Sequence, residues 1–351
     1  MFTMINLLTR IPLLLICFLS LSACSDEVMQ PLEKDDAYLL QFPSYFPEMT
    51  FDKASNPVTK NGVELGRKLF YDGKLSRNNT ISCGFCHIQE NAFTHHGHNV
   101  SHGVEDRIGI RNAPPIQNMI FLKRYMWDGV IHNLNEQPII PITDANEMDS
   151  SMPEAITKLK ADPKYKKLFA AAYGDENITG ERVLKALSQF MASLISAESK
   201  YDRFRQGKEK LTTEESQGMA LFQQKCASCH SGELFTDESF RNTGMYYHQQ
   251  FKDPGRYRVT LDQNDWMKFR VPSLRNVEYT APYMHDGRFY TLDAVLNFYS
   301  DGVEDHPNLD PELKQNGHTG IAMNSQEKQF IITFLKTLSD KNFISNPKFA
   351  E

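Results

Sequence analysis

Cysteine and tryptophan are scarce in this chain, six and two among 351 residues. So few thiols leave little room for a disulfide framework. Positive charge is not in excess. The formal net charge of −6 argues against nucleic acid as the main partner. Strict period-two alternation is rare, which argues against an extensive sheet. Long apolar runs are also missing, with one exception. Residues 11–23, IPLLLICFLSLSA, follow Arg10 and are too short to span a bilayer comfortably. The whole chain, 40% hydrophobic and 23% charged, has the composition of a globular protein long enough for two domains.

The apolar run closes on Leu21-Ser22-Ala23-Cys24. A small-residue site ending in Cys resembles a bacterial lipoprotein signal. That resemblance implies a signal peptide over 1–23, cleavage before Cys24 and acylation of its thiol, with residues 24–60 as a lipidated tether. The alternative is a plain secretory signal with an incidental Cys. Ser25 after the Cys favours the outer membrane of a Gram-negative cell, so the protein is expected to face the periplasm, held by lipid alone.

The cysteine count then closes. Cys17 leaves with the signal and Cys24 takes lipid, so Cys83, Cys86, Cys226 and Cys229 remain as two pairs. CGFCH ends in His87 and CASCH in His230. Two thiols three residues apart on one helical turn can add to the two vinyl groups of a haem, and the next His then lies under the iron. A zinc site or a thioredoxin-like pair would use similar spacing. Two copies in an exported chain predict two covalent haem c groups, with His87 and His230 as iron ligands.

The motifs sit in a duplicated unit. Each is preceded by G-x-x-L-F, at residues 66–70 and 218–222. Each is followed by Phe-Thr, Phe93-Thr94 and Phe235-Thr236, then by a Pro-containing turn, RNAPP or RVPSL. Each ends on a matched stretch, YMWDGVIHNLNEQPIIP and YMHDGRFYTLDAVLNFY. Between the copies, Val183, Leu184, Leu187, Met191, Leu194 and Ile195 recur at helical spacing, predicting one packing helix through ERVLKALSQFMASLISAESKYDRF. A second amphipathic helix is expected over 325–338. The predicted fold is mainly α, with tandem cytochrome c-like haem domains at 61–205 and 206–345 and long loops.

Aligning the copies on Asp128-Gly129 and Asp286-Gly287 pairs Trp127 with His285, and Pro141 with Tyr299. If that last position faces each iron, the second copy offers a phenol oxygen and the first offers no donor atom. The second haem would be closed, suited to electron transfer; the first would be open, suited to chemistry. A Tyr on that apolar face also reads as core, and Met284 and Met267 compete as ligands. Beside Pro141 stand Gln137 and Glu147. A carboxyl can shuttle a proton between the oxygens of peroxide and an amide can position them. The stretch TDANEMDS also reads as an exposed polar loop. Trp127 reads as a core aromatic or an electron relay between haems. In FTHHGHNVSHG, His95, His96, His98 and His102 suit a surface metal site, hydrogen bonds to haem propionates or water, or a cap on the open iron.

These motifs resemble the bacterial dihaem cytochrome c peroxidase and MauG family. The resemblance runs from about residue 62 to 338 and rests on both C-x-x-C-H runs, LGRKLFYDGKLS, RNAPP, the WDG…EQ…P…EM series and VPSLRNVEYTAPYMHDG. It implies that Trp127 lies between the haems and that Gln137, Pro141 and Glu147 line the peroxidatic pocket. It makes His102 the candidate resting-state ligand, although that loop differs in length. It also implies a calcium ion held by Asn112 and by backbone oxygens at Thr280 and Pro282. Tyr299 departs from the ordinary peroxidase, which has Met there, and agrees with MauG. An anionic oxygen ligand lowers that haem's potential relative to Met and favours a haem pair sharing two oxidising equivalents as high-valent iron.

The expected activity is therefore reduction of hydrogen peroxide to water at the N-terminal haem. Electrons would come through the C-terminal haem from a small periplasmic donor, a cytochrome c or copper protein. The alternatives are a MauG-like oxidase acting on an oxidisable partner protein and a non-catalytic dihaem electron carrier. A haem-based sensor or scaffold is a further rival. A homodimer is compatible with the sequence.

Overall fold

The computed structural model describes residues 37–315 and 317–351. The signal, Cys17, Cys24 and the first part of the tether lie outside the described residues. From residue 37 to Thr59 the chain forms turns and loops without a helix or strand, and Phe46 and Phe51 are buried in the first core.

Helices α1 (Lys60–Tyr71), α2 (Cys83–Cys86), α3 (Ile139–Thr143), α4 (Met152–Lys160), α5 (Pro163–Tyr173) and α6 (Gly180–Ser193) build the first unit. Next come α7 (Lys200–Arg205), α8 (Thr213–Lys225), α9 (Tyr257–Thr260), α10 (Leu292–Asn297), α11 (Ser325–Lys336) and α12 (Lys341–Ser345). Strands are minimal. Residues Phe240–Arg241 (β1) pair antiparallel with Phe269–Arg270 (β2), and Lys314–Gln315 (β3) with His318–Thr319 (β4). The fold is thus mainly helical, with cytochrome c-like units joined by long loops.

The G-x-x-L-F repeats explain how each unit closes. Gly66 on α1 lies against α6, where a Cβ would stand 2.0 Å from the Ala186 carbonyl oxygen. Gly218 on α8 lies against α11, where a Cβ would stand 1.9 Å from the Phe330 carbonyl oxygen. Only glycine allows either crossing. The following Leu69 and Phe70, and Phe222 in the second copy, are buried.

The single packing helix expected through residue 204 is broken. Helix α6 stops at Ser193, so Leu194 and Ile195 lie beyond it, and α7 starts at Lys200. The cause is side-chain competition for the backbone. Asn118 Oδ1 accepts from Ser196 N at 3.0 Å, and Asp340 Oδ2 accepts from Ala197 N and Glu198 N at 3.0 Å each. The N–H groups that would prolong the helix are taken. A second correction concerns the tail. Sequence assigned residues 341–345 to the second unit, but Phe343 and Phe349 are buried in the first unit's core.

Candidate active site

Both C-x-x-C-H runs fold as one helical turn. His87 N donates to Cys83 O at 2.9 Å, and His230 N to Cys226 O at 3.0 Å. Ser82 caps the first turn by accepting from Phe85 N at 3.2 Å. Tyr71 packs where Gly84 lacks a side chain, since a Cβ there would stand 2.3 Å from the ring.

The repeated Phe-Thr pair, unassigned by sequence, orients the imidazoles. His87 Nδ1 lies 2.7 Å from Phe93 O, and His230 Nδ1 lies 3.1 Å from Phe235 O. A carbonyl only accepts, so Nδ1 carries the proton and Nε2 keeps its lone pair for a metal. Both Phe residues hold left-handed backbone, φ 61° and 55°, turning that carbonyl toward the ring. The Thr hydroxyls donate to Ala113 O and Val271 O, tying each proximal loop to its Pro-containing turn. Burial pushes the His87 pKa down to about 4, partly offset by the Phe93 carbonyl, so the ring is neutral at pH 7. Burial also raises the Cys83 and Cys226 thiols to about 12. That is the reverse of what a thioredoxin-like nucleophile needs.

One cavity is lined by Cys83, Cys86, His87, Gln137, Pro141 and Glu147, so the structure brings these predicted residues of the first site together. Burial is the main reason that the Glu147 carboxyl is raised to about 7; Asp144's charge adds to it and Arg111's guanidinium opposes it. Gln137 Nε2 sits 3.5 Å from Met126 Sδ. Arg111, missed by the sequence reading, donates to Asp128 Oδ2 at 2.7 Å and to Asp253 Oδ2 at 2.6 Å. Two buried carboxylates thus fix it beside the site.

A second cavity of about 430 Å³ is lined by Cys226, Cys229, His230, Trp127, His285 and Tyr299, among apolar neighbours. Tyr299 lies in a wide helical turn, Phe298–Gly302, that continues α10. Burial raises its phenol well above the ordinary value. Met284 also lines this cavity, whereas Met267 is buried elsewhere.

The matched stretches are hairpin loops. Tyr125 N donates to Ile131 O at 2.9 Å and Tyr283 N to Phe289 O at 2.7 Å, with Gly129 and Gly287 at φ +68° and +65°. Their Asp residues are buried against arginines, Asp128 on Arg111 and Asp286 on Arg288. The tips carry Trp127 and His285, and both face the second cavity. Trp127 Nε1 donates to Asn112 O at 2.8 Å, and His285 stacks on Phe269 at 3.7 Å.

His102 is not among the residues lining the first cavity. Its ring packs on His98 at 4.4 Å and its carbonyl oxygen lies 3.7 Å from Cys86 Sγ. His98 in turn packs against His95 at a tilt, while His96 is exposed. Of the residues expected at calcium, Asn112 Nδ2 donates to Pro282 O at 2.9 Å, and Thr280 Oγ1 bonds Val277 O. Ligating a cation would need the Asn112 amide turned to present Oδ1.

Haem c needs two free thiols on one turn, an imidazole with Nε2 available and an apolar slot. Both sites supply them, and all four thiols are free. Comparison with known proteins agrees. A model of the di-haem cytochrome c peroxidase family matches residues 60–210. The chain is 36% identical to the methylamine utilization protein MauG of Methylorubrum extorquens, over 83% of this chain and 82% of that one. It is 32% identical to the cytochrome c551 peroxidase of Nitrosomonas europaea, over 82% of each. A crystal structure of a MauG-like protein associated with microbial copper homeostasis superposes with TM-score 0.81 and 34% identity, over 90% of this chain and 99% of that one.

Proposed function

Because the chain belongs to the di-haem cytochrome c peroxidase family, and is an oxidoreductase of that type, we propose that its first cavity is where hydrogen peroxide is reduced to water. The observation that carries this is the convergence of Glu147, Gln137 and Pro141 on the cavity that also holds His87, Cys83 and Cys86. The haem held at each motif supplies the iron and the redox change. His87, locked by Phe93 O, would hold the haem through Nε2, and Pro141 in the same cavity offers no donor atom that would compete with substrate. Gln137 orients peroxide by hydrogen bonding. Glu147, raised to about 7, takes the proton of one peroxide oxygen and delivers it to the other, which departs as water. Two electrons and two further protons complete the balance to two waters.

In this reading electrons enter by way of the second cavity, with His230 and Tyr299 as ligands and Trp127 between the sites. The donor is a small periplasmic cytochrome c or copper protein, and the chain faces the periplasm on a lipid anchor. A calcium ion would be held by Asn112, Thr280 and Pro282. The test is peroxide consumption with and without a reduced donor cytochrome, for wild type and Glu147→Gln. Donor-dependent turnover that vanishes in the variant is expected; undiminished turnover in the variant would remove Glu147 from the mechanism.

A second reading is favoured by Tyr299 in the second cavity. A phenol oxygen there would lower that haem's potential and suit withdrawal of electrons from an oxidisable partner protein. Peroxide-dependent oxidation of a co-purified partner, without any donor requirement, would select it.

A further inference from the structure

The ring of each proximal-loop Phe is held by several aromatic groups, at least one of them from beyond its own unit; for Phe93 these include Phe349 at 6.4 Å. Phe93 packs against Phe70 of α1 at 6.0 Å, Phe190 of α6 at 6.5 Å and Phe343 of α12 at 5.5 Å. Phe235 packs against Phe222 of α8 at 5.7 Å, Phe334 of α11 at 6.1 Å and Tyr201 of α7 at 5.1 Å. Helix α12 follows the second unit's closing helix yet covers the first unit's Phe. Helix α7 follows the first unit's closing helix yet covers the second unit's Phe. The two straps are exchanged.

The exchange is built the same way twice. Asn118 N donates to Leu194 O at 2.9 Å, and Asn276 N donates to Leu338 O at 3.1 Å. Both asparagines are left-handed, φ 55° and 57°. Asn118 Oδ1 then takes Ser196 N at 3.0 Å, and Asn276 Oδ1 takes Asp340 N at 2.7 Å, turning the chain out of each helix. The C-terminal strap is pinned to the first unit. Gln89 Nε2 donates to Phe343 O at 3.2 Å and Asn346 O at 2.8 Å, and Tyr71 Oη donates to Phe349 O at 2.7 Å.

We propose that each strap is a positioning device for the other unit's axial histidine: Phe343 fixes the Phe93 carbonyl that holds His87, and Tyr201 fixes the Phe235 carbonyl that holds His230. The hydrogen bond from Nδ1–H to that carbonyl raises the basicity of the ring and strengthens its bond to iron. Loosening the strap weakens that hydrogen bond and makes the iron easier to reduce. This rests on His87 and His230 being the axial ligands.

The test uses the loaded full-length protein. Resonance Raman of the fully reduced form reads the iron–histidine stretch of the open first haem, and redox titration reads both midpoint potentials. Phe343→Ala is expected to lower the stretch and raise the first haem's potential, leaving the second unmoved, with Phe343→Leu close to wild type. Tyr201→Ala is expected to raise only the second potential. Should Phe343→Ala fail to fold, Phe349→Ala loosens the same strap and gives the same readout. Stability loss with unmoved stretch and potentials would reduce the straps to packing and overturn the proposal. Shifts of both haems in every variant would overturn it too. Absence of any iron–histidine band in wild type would instead overturn the assignment of His87, and the proposal with it.

Discussion

Arg275 and Asp202 meet in a two-pronged ion pair, 2.9 Å at each prong, with both side chains wholly buried. The pair ties α7 to the Pro-containing turn of the second unit. Tyr45 Oη donates to the same carboxylate at 3.1 Å, and the guanidinium lies 4.5 Å above the Phe46 ring. Burial alone would raise the Asp202 carboxyl, but the Arg275 charge and hydrogen bonds hold it below its usual range. Removing one partner strands a buried charge, so Arg275→Met is expected to cost about 3–5 kcal/mol in urea unfolding. The carboxyl is depressed in the folded state. Its stabilisation is therefore present above the unfolded carboxylate pKa and is lost as pH falls through the folded one. Acid unfolding of the variant should be less steep than that of wild type.

Gly66→Ala and Gly218→Ala should each force the crossing helices apart, because the added carbon would stand about 2 Å from a backbone oxygen. A destabilisation of about 1–3 kcal/mol or more is expected. Thermal melts with both haems attached check it, and a neutral outcome would mean that the helices shift at little cost.

Glu147→Gln should lower peroxide turnover by about 10²–10⁴-fold with unchanged haem spectra. In wild type the rate should rise with pH through about 7 as the carboxylate forms, and this limb should vanish in the variant. The stability sign is the reverse of that for Asp202. A carboxyl raised by burial keeps its proton longer when folded, so wild-type stability falls between about 4.5 and about 7 and is flat above. The variant should lack that fall.

Among the described residues, Tyr299→Phe removes the only phenol lining the second cavity beside Tyr283, whose hydroxyl donates to Val277 O at 3.0 Å. The second haem's low-spin EPR signal should change and its potential should rise. Tyr299→Met should raise it further, since thioether ligation favours ferrous iron. Spectra identical to wild type would place the ligand elsewhere, with Met284 next in line.

Local chemistry was readable because it is local. A C-x-x-C-H run closes on itself through one backbone bond, whereas the close crossings that require Gly66 and Gly218 are visible only once α6 and α11 lie against them. The long helix through residue 204 was misread because its apolar spacing continues while its backbone donors do not. Asn118 and Asp340, 78 and 143 positions away, capture them. Arg111 likewise has one carboxylate partner nearby, Asp128, and one 142 residues distant, Asp253.

The sequence by itself determined the two haem-bearing turns, the duplicated unit, and the contrast between Pro141 and Tyr299, because covalent attachment and donor atoms belong to residue identity. The tertiary structure decided where those residues meet. It turned both hairpin tips, Trp127 and His285, toward one cavity, packed His102 against His98, and exchanged the straps between units. Those outcomes depend on long-range packing and on which buried donors find acceptors, and no stretch of sequence read alone contains its distant partner.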